Sequence, residues 1–213
     1  MNKKKRNFII STVLILVAII FTILVKVVDV RQVGANETSI GFAMVNQFVF
    51  EFTHVNMMWY HITDWLGLVP VFMAMAYALI GIIQLIKRKS LFKVDKEIIV
   101  LGLFYIVVIF LYVFFEKVVV NYRPILMNGY LEASYPSSHT LMTLCICGSS
   151  IIVNKNLFNN KITKLMNVLS WVIMFVTVIG RLVSGVHWFT DIIGGIFMSL
   201  ALLMVLYSLI EKC

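Results

Sequence analysis

The sequence predicts an all-α polytopic membrane protein, a bundle of six transmembrane helices with both termini in the cytoplasm. Hydrophobic residues make up 61% of the 213 residues, above the roughly 45–50% of soluble chains. The apolar runs are about 18–23 residues long, which at about 1.5 Å per helical residue crosses a hydrocarbon core of about 30 Å. Charged residues make up only 13% and cluster between these runs.

Six apolar runs are predicted to span the membrane, at about residues 8–28, 66–86, 98–115, 137–153, 165–183 and 187–210. The first run is longer than the apolar core of a signal peptide, about 7–15 residues, and Lys26, Asp29 and Arg31 come before any small-residue cleavage site. It is therefore predicted to be a retained helix. No internal repeat or soluble domain is evident, which predicts a single domain over residues 1–213.

The positive charges predict the orientation of the helices. The net charge of +8 would also suit a nucleic-acid-binding protein. However, thirteen of the eighteen lysines and arginines lie at residues 3–6, 87–96, 155–164 and 212, in clusters that alternate with poorly basic connections. This alternation is typical of cytoplasmic helix ends. We therefore expect no nucleic-acid partner, a location in the cell membrane, and the other connections on the extracytoplasmic face.

The longest connection, residues 29–64, is predicted to contain a helix that lies at the membrane surface or re-enters it. Residues 40–52 are apolar apart from three strongly polar positions, as in interfacial helices. The aromatic residues that follow are typical of an interfacial belt: Trp59, Tyr60 and Trp65. His54, His61 and Asp64 are interpreted as solvated loop residues without a catalytic part.

Three clusters of ionisable and polar residues lie beside the predicted spanning helices, and the six-span topology places all three on one membrane face. They are Asn121, Tyr122, Arg123 and Pro124; Tyr135, Pro136, Ser137, Ser138 and His139; and Gly180, Arg181, His187 and Asp191. Ionisable residues in or beside spanning helices are energetically costly and are functional by default. Their convergence in a chain with few other polar residues predicts one active site.

The third cluster predicts a histidine nucleophile. His187 and Asp191 are four residues apart, so on a helix they share a face. Asp191 would accept the proton-bearing ring nitrogen of His187 and leave the other nitrogen free to attack. Arg123 and Arg181 would supply planar charged groups for phosphate oxygens.

The second cluster predicts an anion site with an acid–base group. Pro136 breaks the chain before a helix whose first turn would offer free N–H groups and the hydroxyls of Ser137 and Ser138 to a phosphate. His139 would face the pocket of His187. One histidine would attack phosphorus while the other protonates the leaving oxygen and then activates water.

No metal or other cofactor is expected. His139, His187 and Asp191 could form a metal site, but two arginines beside them would repel a cation. The three cysteines, Cys145, Cys147 and the terminal Cys213, give no disulfide framework. Cys145 and Cys147 lie in an apolar run and are interpreted as small helix residues.

These residues resemble the type-2 phosphatidic acid phosphatases, a superfamily shared with vanadium haloperoxidases and bacterial periplasmic acid phosphatases. The signature of that family reads K-x6-R-P, then P-S-G-H, then S-R-x5-H-x3-D. The likeness covers about residues 116–195. The matching positions are Arg123, Pro124, Pro136, Ser137, His139, Arg181, His187 and Asp191.

The sequence departs from the signature at three positions. Ser138 replaces a glycine and Gly180 replaces a serine. Glu116 occupies the position of the lysine, and Lys117 follows one residue later. Either a local irregularity of the helix lets Lys117 bind the phosphate, or the role of the lysine is absent.

The resemblance implies a metal-independent lipid phosphatase with His187 as nucleophile and His139 as acid and base. Candidate substrates are undecaprenyl diphosphate, phosphatidate and phosphatidylglycerol phosphate, with a slight preference for the first, and the partners are membrane lipids. The alternative is a non-catalytic membrane protein that binds or moves phospholipids, which the change to Glu116 favours and the complete set of histidines and arginines disfavours. A transporter would show repeat symmetry. The sequence does not specify an oligomeric state.

Overall fold

The chain folds almost entirely into α-helices, as seen in a computed structural model that describes residues 3–158 and 160–211. The helices are α1 (Lys3–Val27), α2 (Ala43–Thr53), α3 (Met57–Leu66), α4 (Leu68–Arg88), α5 (Lys96–Lys117), α6 (Ser138–Leu157), α7 (Lys161–Val183) and α8 (Phe189–Ile210). Two short strands, β1 (Arg31–Gln32) and β2 (Ser39–Ile40), pair antiparallel. Lys212 and Cys213 lie outside the described residues.

Six helical stretches of the described chain are long and apolar enough to cross a membrane, which confirms the predicted six-helix bundle. The second of these, Met57–Arg88, consists of α3 and α4 together and begins about nine residues earlier than the sequence predicted. The backbone at Gly67 keeps helical angles, and its N–H donates to the carbonyl of Thr63 at 3.0 Å. Residues 57–64 are therefore helical and continuous with a stretch long and apolar enough to span the membrane, whereas the sequence predicted a connection there.

Helix α6 lies at the centre of the bundle, in contact with α4, α5, α7 and α8. Small side chains line it and let neighbouring backbones approach closely, as is usual between membrane helices. At Gly148, for example, a Cβ atom would lie 2.6 Å from the side chain of Leu203 on α8. Cys145 and Cys147 are free and buried in this helix, in agreement with their interpretation as small helix residues.

Hydrogen bonds between side chains fix the relative positions of several helices. Tyr77 on α4 donates its hydroxyl to Asn154 on α6 at 2.6 Å. Ser11 on α1 and Ser208 on α8 lie 3.2 Å apart. Such bonds satisfy polar groups that hydrocarbon would otherwise leave unpaired.

Helix α2 confirms the prediction of a helix within residues 40–52, and Asn46 attaches it to the bundle. The buried Asn46 amide donates to the Thr190 hydroxyl at 3.0 Å and accepts the Thr190 backbone N–H at 3.1 Å. Thr190 belongs to the first turn of α8. The segment between α1 and α3 therefore covers the start of α8.

Consecutive spanning helices alternate in direction, so one end of the bundle collects the starts of α6 and α8 and the ends of α5 and α7. All three polar clusters of the sequence lie at this end. The basic clusters at residues 87–96 and 155–164 lie at the opposite end.

Candidate active site

His187 lies in the turn between α7 and α8 and is 4% exposed. The sequence predicted it inside a helix, but α8 begins only at Phe189. Asp191 is in the first turn of α8, where its carboxylate accepts the backbone N–H of Trp188 at 2.9 Å and caps the helix. His187 Nδ1 and Asp191 Oδ2 are 3.9 Å apart, too far for a hydrogen bond. The predicted direct bond between these two side chains was therefore wrong.

Ser134 connects the two residues instead. Its hydroxyl donates to Asp191 Oδ2 and lies 3.0 Å from His187 Nδ1. The backbone carbonyl of Ser134 lies 3.2 Å from the same nitrogen. Because a carbonyl oxygen can only accept, Nδ1 carries the proton and Nε2 keeps its lone pair.

Asn121 completes the support of the carboxylate by donating its side-chain amide to Asp191 Oδ1 at 3.2 Å. Sequence reasoning placed Asn121 in the first cluster without giving it a task. It did not single out Ser134, whose one signal was its position two residues before Pro136. Both residues hold the pair of His187 and Asp191 from the connection between α5 and α6.

The free nitrogen of His187 faces a guanidinium group, with Nε2 3.4 Å from Nη1 of Arg123. Burial lowers the pKa of His187 well below its ordinary value, and the positive charges of Arg123 and Arg181 lower it further. The ring is therefore neutral at neutral pH, as a nucleophile requires. Arg123 is itself held by Glu132, whose carboxylate lies 3.0 Å from Nε.

Arg181 is fully buried near the end of α7. Its Nη2 donates to Asp64 Oδ1 at 3.1 Å, and its guanidinium carbon lies 4.9 Å above the centre of the Tyr60 ring. Its Nε and Nη1 are buried and have no partner within the described part of the chain. These unpartnered N–H donors on a permanently charged group suit the oxygens of a phosphate.

His139, the second residue of α6, meets the same carboxylate. Its Nε2 lies 3.1 Å from Asp64 Oδ1, while its Nδ1 is buried without a partner among residues 3–158 and 160–211. Asp64 is therefore not the loop residue that the sequence predicted, although its side chain is 47% exposed. It lies on α3, which packs against α7 and brings Asp64 to the site.

Ser137 and Ser138 have different surroundings. Ser137 is fully buried, its N–H donates to the carbonyl of Asp191 at 3.0 Å, and its hydroxyl accepts from Thr140 at 3.1 Å. Its N–H is thus not free to bind an anion, contrary to the prediction, because it joins the start of α6 to the start of α8. Ser138 is half-buried and lines a small cavity together with His187 and Glu116.

Glu116, not Lys117, lies beside this cavity. Helix α5 runs without interruption to Lys117, its last residue, whose side chain is exposed. The local irregularity that would turn Lys117 towards the phosphate is therefore not present.

Gly180 explains one departure from the family signature. A Cβ atom at this position would lie 2.4 Å from Thr63 Cγ2 and 3.1 Å from the ring of Trp59. The serine of the signature would therefore collide with α3. In this packing Trp59 and Tyr60 contact α7, whereas Trp65 is 73% exposed.

The fold and the site together define an integral membrane protein with buried His187, Arg123 and Arg181 and half-buried His139 at one end of a helical bundle. A model of the PAP2 superfamily matches residues 70–213, and the chain belongs to this superfamily. Among solved structures, it is similar to a transmembrane PAP2-type phosphatidylglycerolphosphate phosphatase from Bacillus subtilis. The two share 17% identity over 92% of this chain and 93% of that chain, with a TM-score of 0.64. No curated protein matches.

Proposed function

We propose that this protein is a lipid phosphatase that hydrolyses a phosphomonoester or diphosphate through a phosphohistidine on His187. The observation that carries the proposal is a set of buried polar atoms without protein partners in the described chain, beside the neutral His187. Nε and Nη1 of Arg181 and Nδ1 of His139 lack partners, and Nε2 of His187 carries a lone pair 3.4 Å from Nη1 of Arg123. Buried polar groups are normally paired, so a phosphoryl group bound here would satisfy them.

The first chemical step transfers the phosphoryl group to the enzyme. Nε2 of His187 attacks phosphorus, the bond from phosphorus to the lipid oxygen breaks, and His139 gives a proton to that oxygen. In the second step His139 takes a proton from water as the water oxygen attacks phosphorus. The bond from phosphorus to nitrogen breaks, inorganic phosphate leaves and His187 is regenerated.

The remaining groups stabilise the charge that the phosphoryl oxygens carry during transfer. Arg181 would donate to these oxygens through N–H groups that have no protein partner in the described chain, and Arg123 would approach from the side of His187. The hydroxyl of Ser138, at the start of α6, would donate to a third oxygen. We assign no such role to Lys117. Ser137 contributes indirectly, because the bond from its N–H to the carbonyl of Asp191 positions the start of α6.

The site is proposed to face the extracytoplasmic side of the cell membrane, with both termini in the cytoplasm. The support is the charge distribution, because the basic clusters lie at the end of the bundle opposite the site. This placement suits substrates with the phosphate at the outer leaflet. We propose undecaprenyl diphosphate first, then phosphatidate and phosphatidylglycerol phosphate, the last being the substrate class named for the Bacillus subtilis structure.

The direct test is phosphate release by the purified protein in detergent from these three lipids, with and without excess chelator. We expect turnover of at least one lipid at an unchanged rate in chelator, because histidines and arginines bind and transfer the phosphoryl group. Lipid binding without phosphate release would instead support a non-catalytic phospholipid-binding protein, the function that Glu116 in place of the lysine favours.

Removal of the Ser134 hydroxyl is expected to slow the reaction without stopping it. Ser134→Ala loses the hydroxyl that connects His187 to Asp191 but keeps the carbonyl that holds Nδ1, so kcat should fall by about 10–100-fold, the worth of a hydrogen bond to a charged group. Ser208→Ala, which removes a buried hydroxyl at the opposite end of the bundle, should keep full activity. Equal activity of both variants would contradict the role of Ser134.

A further inference from the structure

Asp64 contacts two groups of the site from outside the part of the chain that matches the PAP2 superfamily. Its Oδ1 lies 3.1 Å from His139 Nε2 and 3.1 Å from Arg181 Nη2. The match to the superfamily covers residues 70–213, whereas Asp64 belongs to α3. The contacts therefore come from an element that the superfamily match does not describe.

We infer that Asp64 is a positioning residue that keeps His139 ready to donate a proton from Nδ1 to the leaving lipid oxygen. This inference rests on the proposed phosphatase function. The Asp64 carboxylate accepts the N–H of Nε2, which fixes the orientation of the ring. The opposite nitrogen, Nδ1, is buried and unpartnered within the described residues, so it is the ring atom left to exchange a proton with a ligand.

The charges around His139 show why a carboxylate is needed there. Arg181 is bound to the same carboxylate oxygen as His139, and its positive charge opposes a second proton on the imidazole. The negative charge of Asp64 offsets this repulsion. His187 has a related arrangement, with Ser134, which donates to Asp191, at one ring nitrogen and the reacting nitrogen opposite.

The packing of α3 against α7 fixes the position of Asp64. Gly180 on α7 admits Thr63 and Trp59 at close range, and Tyr60 covers the guanidinium group of Arg181. These contacts place the residue after Thr63 over the site. The Asp64 side chain remains 47% exposed, so it lies at the rim of the site.

The test compares two leaving groups in the variant Asp64→Asn. An alkoxide leaving from phosphatidate needs a proton, whereas p-nitrophenolate leaves as a stable anion. We therefore expect kcat/KM for phosphatidate to fall by about 100-fold and kcat/KM for p-nitrophenyl phosphate to fall by less than about fivefold. Because kcat/KM reports steps only through the departure of the leaving group, the shared hydrolysis of the phosphoenzyme does not affect it.

Two further variants complete the design. Glu51→Gln makes the same change at an exposed carboxylate of α2 and should leave both substrates unaffected. In a His139→Asn background, Asp64→Asn should cause no additional loss with phosphatidate, because the two residues act through one proton transfer. If Asp64→Asn does not fold, Asp64→Glu should show a smaller loss with the same preference for p-nitrophenyl phosphate.

Equal losses with both substrates would overturn the inference, since Asp64 would then only support Arg181 or the fold. Increased activity would also overturn it, because the carboxylate would then compete with the phosphate for His139 and Arg181. If the wild-type protein does not turn over phosphatidate, the same comparison uses whichever lipid it does hydrolyse. Release of phosphate from none of the three lipids would reject the proposed function itself, whereas equal losses in an active protein reject only this inference.

Discussion

Replacing His187 by asparagine is expected to lower kcat for phosphate release by about 10⁴-fold or more, the loss typical of a removed covalent nucleophile. His187 supplies the one ring nitrogen that the structure holds unprotonated beside Arg123. Asparagine keeps an N–H donor that can reach the carbonyl of Ser134, so the turn between α7 and α8 should remain folded. The loss should therefore arise in the chemical step.

The measurement is phosphate release in detergent at saturating lipid, with thermal unfolding to confirm the fold. His54→Asn is the matched control, because His54 is exposed and has a φ of 53°, which asparagine tolerates. It should keep wild-type activity. Turnover of His187→Asn within tenfold of wild type would rule out a covalent role for His187.

Replacing Arg181 by lysine is expected to lower kcat/KM by about 10²–10³-fold, although the positive charge is retained. Arg181 is fully buried and has two donors, Nε and Nη1, without protein partners in the described chain. A lysine presents one ammonium group, which can keep the ion pair with Asp64 but cannot also present a planar pair of donors to two phosphoryl oxygens.

The matched control is Arg88→Lys at the opposite end of the bundle, where the exposed Arg88 pairs with Asp95 at 2.6 Å. This exposed ion pair contributes little to folding stability and lies far from the site, so activity should be unchanged. The same lipid substrate and detergent serve for both variants. A loss of less than about fivefold in Arg181→Lys would show that charge alone suffices there and that its unpartnered donors do not bind the phosphoryl group.

The sequence was sufficient to predict the membrane architecture, because the thickness of the bilayer fixes the length of each apolar run. It also predicted which end of the bundle holds Arg123, His139 and His187, since alternating helix directions follow from the number of spans. These inferences depend on composition and order along the chain. They do not require knowledge of how side chains pack.

The contacts within the site depend on how side chains pack, so the sequence predicted them less well. A spacing of four residues predicted a direct bond between His187 and Asp191, but helix α8 starts after His187, and Ser134 fills the space between them. Ser134 comes from a different connection, so no local spacing relates it to His187.

Asp64 shows the same limit over a longer distance. It is 117 residues from Arg181 in sequence, and the two meet because α3 docks on α7 at Gly180. The sequence contained one signal of this docking, the glycine in place of a serine at position 180. Without the position of Thr63, that glycine had no evident cause.

The central claim is the covalent phosphorylation of His187, and trapping the phosphoenzyme tests it most directly. The purified protein is mixed with phosphatidate carrying a radiolabelled phosphate, denatured in alkali within the first turnover and digested. We expect an alkali-stable, acid-labile phosphate on the peptide that contains His187, and no label in His187→Asn. Turnover of phosphatidate without labelled protein, or with the label on another residue, would contradict the account.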